Sequence, residues 1–257
     1  MMEPVYKNHG ITLFHGEAED VMRELASSGY RFNALVTDSP YCSGGATARE
    51  RTGKGAKAKY VLNSDLDRPD FQGDQRDQRS YGLWCQLWLH LAIRMMKPTA
   101  YCASFIDKRN LTTMIDAVQI AGWRYSDLLP WDKTEGGCRP CKGWFRSSQA
   151  EYVVMGLLGS LGREQERAGE CLPGLLRGNR TTEEKTFHMH AKPVAIMTTL
   201  LKPLTWMHGG KGMGLDPFAG SGSTLVAARQ LGLQFIGIER EAENVEITLK
   251  RLREVML

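Results

Sequence analysis

Two short segments carry groups whose types and spacing could do chemistry. The first, Asp38-Ser39-Pro40-Tyr41, abruptly ends the apolar run Phe32–Thr37. The exocyclic amino group of a nucleobase is a poor nucleophile, because its lone pair is delocalised into the ring. Two acceptors, the Asp38 carboxylate and a backbone carbonyl at Ser39 or Pro40, could hold both of its hydrogens. That would draw the nitrogen toward tetrahedral geometry and aim its lone pair at an electrophilic carbon. Pro40 fixes φ and presets the turn, and Tyr41 offers a flat face for an extruded base. The plainer alternative is an ordinary turn with an aspartate cap.

The second segment is Leu215-Asp216-Pro217-Phe218-Ala219-Gly220-Ser221-Gly222-Ser223-Thr224, between an expected strand and an expected helix. Gly220 and Gly222 permit a tight turn and close approach of a ligand, and the helix that follows offers free N–H groups. Glu239 ends the next expected strand, nineteen positions after Gly220, where an acid can accept ribose hydroxyls. A P-loop requires Gly-Lys-Ser/Thr, and Gly222-Ser223-Thr224 has no lysine. A dinucleotide fingerprint wants Gly or Ala three positions past Gly222, where Leu225 stands. S-adenosylmethionine, with a ribose and an adenine but no phosphate, suits the turn best; a purely structural strand-turn-helix is the alternative.

The elements that must position these turns are legible as alternating strands and helices. Strands are expected at Gly10–Phe14, Phe32–Thr37, Thr99–Ile106, Leu128–Trp131, Tyr152–Met155, at Leu215-Asp216, and at Gln234–Glu239. Helices are expected at Ala18–Leu25, Tyr81–Met96 closed by Lys97-Pro98, Leu111–Ala121, Lys192–Leu204, Ser223–Gln230 and Glu243–Val255. Such alternation argues for a mostly parallel sheet covered on both faces. Trp84, Leu87, Trp88 and Leu91 read as core. Residues 43–80 and 156–187 have few apolar positions and weak periodicity. Between Arg49 and Lys59 five basic residues (Arg49, Arg51, Lys54, Lys57, Lys59) face one acid, Glu50, so this is either a solvated loop or a mobile arm that meets phosphate.

The 257 residues, 42% hydrophobic and 24% charged, suffice for one large domain and exclude wholesale disorder. No apolar run reaches the roughly 18–20 residues of a membrane span. Met1-Met2-Glu3-Pro4 lacks the positive-then-apolar pattern of a signal peptide, so a soluble, cytoplasmic protein is expected. A net charge of +4 is compatible with an anionic partner. Six cysteines make no dense disulfide framework. Cys138 and Cys141 form a lone CxxC; His188 and His190 could complete a zinc site, but a turn between Gly137 and Pro140 fits better and no metal is expected.

Taken together, the two turns resemble those of the amino-group DNA methyltransferases, which make N6-methyladenine or N4-methylcytosine. In that family the catalytic turn reads (Asp/Asn/Ser)-Pro-Pro-(Tyr/Phe) and the cofactor turn Asp-Pro-Phe-x-Gly-x-Gly. The order, catalytic turn first, resembles the β subgroup. Phe14-His15-Gly16-Glu17 is similar to its Gly-Asp element, in which the acid reaches the cofactor adenine. His188-Met189-His190-Ala191-Lys192-Pro193 is similar to its His-Pro-Thr-Gln-Lys-Pro element, which helps hold the methionine end. Phe235-Ile236-Gly237-Ile238-Glu239 resembles its ribose-binding strand, and Trp123 to Lys133 its Gly-Trp … Trp-Asp-Lys strand pair. Ser39 departs from the usual first proline and Glu17 from aspartate.

The resemblance implies an α/β fold: a Rossmann-like class I methyltransferase sheet, circularly permuted, in a single domain over 1–257, with a mobile DNA-contacting loop at 43–80 and a small target-recognition insertion at 134–187. It implies Asp38, Ser39, Pro40 and Tyr41 as the catalytic set. S-adenosylmethionine would be held by Glu17, Asp38, His188, Lys192, Asp216, Phe218, Ala219, Gly220, Ser221, Gly222, Ser223, Thr224, Glu239 and Arg240. Double-stranded DNA would be gripped by Arg49, Arg51, Lys54, Lys57, Lys59, Arg139, Lys142 and Arg146 after a base is flipped out. A homodimer is a further implication. Aspartate at the first catalytic position favours adenine, since the family's cytosine-N4 members more often begin with serine. An N4-cytosine enzyme, a non-catalytic DNA-binding protein of the same fold, and methylation of RNA or protein are the competing readings.

Overall fold

The computed structural model describes residues 2–42, 76–138, 140–146, 148–160, 169–179, 181 and 191–255. Nine strands form one sheet in the order β1-β2-β9-β8-β3-β4-β6-β5-β7. They are β1 (Tyr6–Asn8), β2 (Ile11–His15), β3 (Phe32–Thr37), β4 (Met96–Ile106), β5 (Arg124–Asp132), β6 (Ala150–Leu157), β7 (Leu176–Arg177), β8 (Met213–Asp216) and β9 (Gln234–Glu239). The central strands β2, β9, β8, β3 and β4 run parallel. All six residues of β3 are buried, as expected of a strand covered on both faces.

Two core clusters lie on opposite faces. On one, Val21, Met22 and Leu25 of helix α1 (Ala18–Ser27), Trp88 and Leu89 of α2 (Gln78–Ile93), and Met114 and Val118 of α3 (Leu111–Ile120) pack against the sheet. On the other, α4 (Val194–Leu201), α6 (Ser223–Gln230) and α7 (Ala242–Glu254) do the same, with the short α5 (Pro203–Trp206) between α4 and β8.

Several expectations shift by local physics. Helix α2 starts three residues before Tyr81, because the Asp77 carboxylate accepts the N–H groups of Arg79 and Ser80 and caps it. Lys97-Pro98 does not simply close that helix; it already belongs to β4. The expected helix Lys192–Leu204 begins at Val194 and is divided at Pro203, which cannot donate an i→i−4 bond. The parallel pattern gives way at one side, where β6 runs antiparallel between β4 and β5. The expected target-recognition region, 134–187, contains the sheet strand β6.

The topology decides where the site must be. The chain leaves β3 toward β4 on one side and β8 toward β9 on the other, so the strand order reverses between the neighbours β3 and β8. Open α/β sheets bind ligands at the carboxyl ends of strands at such a switch point. The Asp38 turn follows β3 directly, and the glycine turn follows β8.

Candidate active site

The two turns are joined by a hydrogen bond. The Thr37 hydroxyl, on the last residue of β3, donates to Asp216 Oδ1, on the last residue of β8, at 2.7 Å. Asp216 also accepts the Phe218 N–H at 3.1 Å. Its carboxyl is buried, and burial raises its pKa to about 7 against the lowering effect of these bonds. Phe218 is wedged against Trp84 and Trp88 at centroid distances of 5.4 and 5.3 Å. Those two tryptophans, which the sequence assigns to the core, thus set the angle of the glycine turn.

Helix α7 braces that turn from behind. The Thr248 hydroxyl donates to the Gly220 carbonyl at 3.0 Å, and Arg251 Nη1 donates to the Ser221 carbonyl at 2.6 Å. Gly222 sits at φ +81°, where an added Cβ would lie 2.6 Å from the Thr248 side chain. Gly220, at φ +53°, has nothing within 4 Å of where its Cβ would be. The first glycine is open toward a ligand; the second is closed by packing.

Asp38 and Gly220 line one cleft, together with Lys192, Asp216, Phe218 and Asn244. Ala219, Ser221, Ser223 and Thr224 also reach it. Glu239 sits behind the turn: its Oε2 accepts the Gly220 N–H at 2.7 Å and its Oε1 the Glu241 N–H at 2.8 Å. Burial raises its pKa while these N–H groups oppose the rise. Glu17 is at the surface, 3.6 Å from Arg240 Nη1, and neither residue lines the cleft. His188, Arg49, Arg51, Lys54, Lys57, Lys59 and Arg139 lie outside the described residues.

The Asp38 turn is held from β4 onward. Asp107 Oδ1 accepts the N–H groups of Arg109 and Asn110, and Asn110 Nδ2 donates to the Tyr41 carbonyl at 2.7 Å. Ser39 is buried and Pro40 part-buried. Lys192 Nζ donates to Asp38 Oδ2 at 2.6 Å and lies 3.6 Å from Glu151 Oε2. The same ammonium stands 4.9 Å from the Tyr41 ring centroid, 5.3 Å from Phe105 and 5.9 Å from Trp131. Asp38 Oδ1 is buried with no hydrogen-bond partner among the described residues.

Glu151 is absent from the residues the sequence singles out. It accepts from the Tyr41 hydroxyl at 3.1 Å and from Lys133 at 2.8 Å. It reaches the site because β6 runs antiparallel, so the strand's first residues lie at the edge where β3, β4 and β5 end; Trp131 is its register partner. An acid at the start of an otherwise apolar strand was the available signal. Burial pushes the Glu151 carboxyl up, but Lys192 and Lys133 outweigh it and the net shift is down. For Asp38 burial wins over Lys192 and the net shift is up. Burial disfavours the Lys192 cation, yet the two carboxylates raise its pKa. Asn244 and Met197, which line the cleft, gave no sequence signal.

Among the DNA-facing expectations, Lys142 is exposed and Arg146 pairs with Glu135 at 2.9 Å. Trp144 and Phe145, between them, are 76% and 81% exposed and meet edge-to-face at 5.5 Å. The Cys138 thiol contacts the Thr134 and Glu135 carbonyls. No helix among the described residues is long and apolar enough to cross a membrane.

A DNA methylase family model (N6_N4_Mtase) matches residues 163–250. Type II methyltransferase M.HindIII of Haemophilus influenzae is 23% identical over 225 residues, covering 70% of this chain and 72% of that protein. Type II methyltransferase M2.LlaDCHI of Lactococcus lactis subsp. cremoris is 23% identical over 271 residues, covering 99% and 93%. Among solved structures, the M1.HpyAVI–SAM complex aligns with a TM-score of 0.65 at 19% identity, covering 94% of this chain and 98% of that one. PvuII DNA methyltransferase (cytosine-N4-specific) aligns with a TM-score of 0.65 at 12% identity, covering 99% and 91%. At these identities the structures establish the class I methyltransferase fold, while the family match and the relatives support an amino-group DNA methyltransferase.

Proposed function

We propose that the chain transfers a methyl group from S-adenosylmethionine to the exocyclic N6 of adenine in double-stranded DNA, acting on the base after it has been flipped out. The observation that carries this reading is the single cleft shared by Asp38 and Gly220. Its glycine turn leaves one Cβ position empty, and its acid has a buried, unpartnered oxygen. Both features suit a cofactor on one side and an N–H donor on the other.

In this reading Phe218, Ala219, Gly220, Ser223, Thr224 and Asn244 bind the cofactor, with Glu239 shaping the turn and Lys192 available to its carboxylate. When bound, S-adenosylmethionine supplies an electrophilic sulfonium methyl. The chain's own work is positioning and polarisation. Asp38 accepts one amino hydrogen, a carbonyl of the Ser39–Pro40 segment the other, and Tyr41 stacks on the base. Asp38, whose carboxyl burial raises, can take the proton the amino nitrogen sheds after transfer. Lys142, Arg146 and the exposed Trp144–Phe145 pair face the duplex, and a homodimer completes the assembly.

Incubation with methyl-tritiated cofactor and duplex DNA tests the reading. It requires label in DNA, none with Asp38→Ala, and cofactor affinity in that variant within about threefold of the parent. Unlabelled DNA, or label transferred only to RNA or protein, would refute it.

A further inference from the structure

The Lys192 ammonium holds one oxygen of the carboxylate that an acceptor amino group would need. It is an N–H donor on Asp38 Oδ2 at 2.6 Å, close to the Tyr41 ring. A nucleobase amino group offers the same polarity to the same carboxylate and brings the flat face that Tyr41 would stack on. Asp38 Oδ1 is open to that donor, but a carboxylate whose charge is taken up by a full cation is a weaker acceptor for a neutral donor on either oxygen. A shift of the cation off Asp38 as the base arrives would strengthen that acceptor, and a buried ammonium needs another counter-charge to move to.

One acceptor is already set for it. Glu151 Oε2 is 3.6 Å from Lys192 Nζ, so a movement of about 1 Å makes a normal charged hydrogen bond. Glu151 is fixed independently of Lys192, by Lys133 on one oxygen and the Tyr41 hydroxyl on the other. Strand pairing opposite Trp131 fixes its backbone. Asp38, Glu151, Lys192 and Lys133 make two charges of each sign. Moving Lys192 from Asp38 to Glu151 keeps that balance and leaves Asp38 with its full negative charge for the incoming N–H. No covalent bond changes in this exchange.

We propose that Glu151 is a positioning residue for the methyl-transfer centre: it draws the Lys192 ammonium off Asp38 as the acceptor amino group arrives. The inference rests on the methyltransferase reading above. It assigns the contact seen here to the resting state, and makes Glu151 the counter-charge of the working one. Around Lys192 the relevant groups are Asp38 and Tyr41 after β3, Glu151 on β6 and Lys133 after β5, with Asp216 on β8 facing Asp38.

The test is Glu151→Gln, which keeps the side chain's size and one acceptor oxygen but removes the charge. Cofactor dissociation constants should stay within about twofold, while kcat at pH 7 falls by about tenfold or more. Activity should rise toward alkaline pH more in the variant than in the parent, because one of the two carboxylates that raise the Lys192 pKa is gone and the lysine loses its proton more readily. If Glu151 acts through the lysine, Glu151→Gln made in a Lys192→Met background should change kcat by less than about twofold. That comparison stays informative even if either change lowers the melting temperature, since both members carry the same lysine substitution. Wild-type kcat and pH profile in Glu151→Gln would overturn the proposal, as would an undiminished effect in the Lys192→Met background. Failure of the parent protein to methylate any DNA would instead refute the methyltransferase reading.

Discussion

The two glycines of the cofactor turn should fail in different ways when each is replaced by alanine. At Gly222 the backbone is left-handed, which costs a Cβ-bearing residue about 1–2 kcal/mol, and the new methyl would sit 2.6 Å from Thr248. Overpacking of that kind adds about 1–3 kcal/mol. Their sum, about 2–5 kcal/mol, corresponds to a fall of about 4–20 °C in melting temperature for a domain this size. At Gly220, with φ +53° and nothing within 4 Å, only the backbone part applies, about 1–2 kcal/mol or about 2–8 °C. Because Gly220 lines the cleft, its methyl enters the space meant for the ligand. The Gly220→Ala protein should therefore bind S-adenosylmethionine at least about tenfold more weakly, a loss of about 1.4 kcal/mol. Differential scanning fluorimetry and isothermal titration calorimetry read the two quantities. A Gly220→Ala protein that melts within its range and binds cofactor like the parent would show that this turn does not face the cofactor.

Three further outcomes follow from the geometry. The Asp216 carboxyl, raised to about 7 in the fold, holds a proton that the unfolded chain has released, so stability should decline from about pH 4 to pH 7 and level off above. Three pKa units bound this decline at about 4 kcal/mol, and Asp216→Asn, which keeps both acceptor bonds, should remove its share, read as melting temperature against pH; an unchanged slope would place the proton elsewhere. Replacing Lys142 and Arg146 with Ala should weaken binding to all DNA sequences alike and reduce the logarithmic salt slope by about 0.9 for each phosphate no longer neutralised, measured by fluorescence anisotropy; altered site preference with the same slope would count against a phosphate role. Glu239→Ala removes the acceptor of the Gly220 N–H and should raise the cofactor dissociation constant with little change in DNA affinity, whereas equal cofactor binding would remove Glu239 from that site.

The parts of this molecule that follow local rules were legible in the sequence. Phe32–Thr37, Ser223–Gln230 and Gln234–Glu239 fall on the expected elements, because their apolar runs and glycine boundaries act over a few residues. What escaped depended on contacts distant in sequence. Glu151 joins the site only through an antiparallel strand inserted between β4 and β5, and no local pattern announces that insertion. The bracing of the glycine turn by Thr248 and Arg251 depends on how α7 docks, and the two strands β1 and β7 are too short for periodicity to register. The sequence places Lys192 among the cofactor ligands; its contact with Asp38 emerges only once both segments are placed in space.

The most direct measurement is the mass of the nucleoside formed when the protein acts on duplex DNA with a donor carrying a trideuterated methyl group. The account predicts N6-methyladenine bearing all three deuterium atoms, in the parent protein and not in Asp38→Ala. Labelled N4-methylcytosine would overturn the choice of base, and the absence of any labelled nucleoside would contradict the claim that the Asp38 and Gly220 turns serve one methyl transfer.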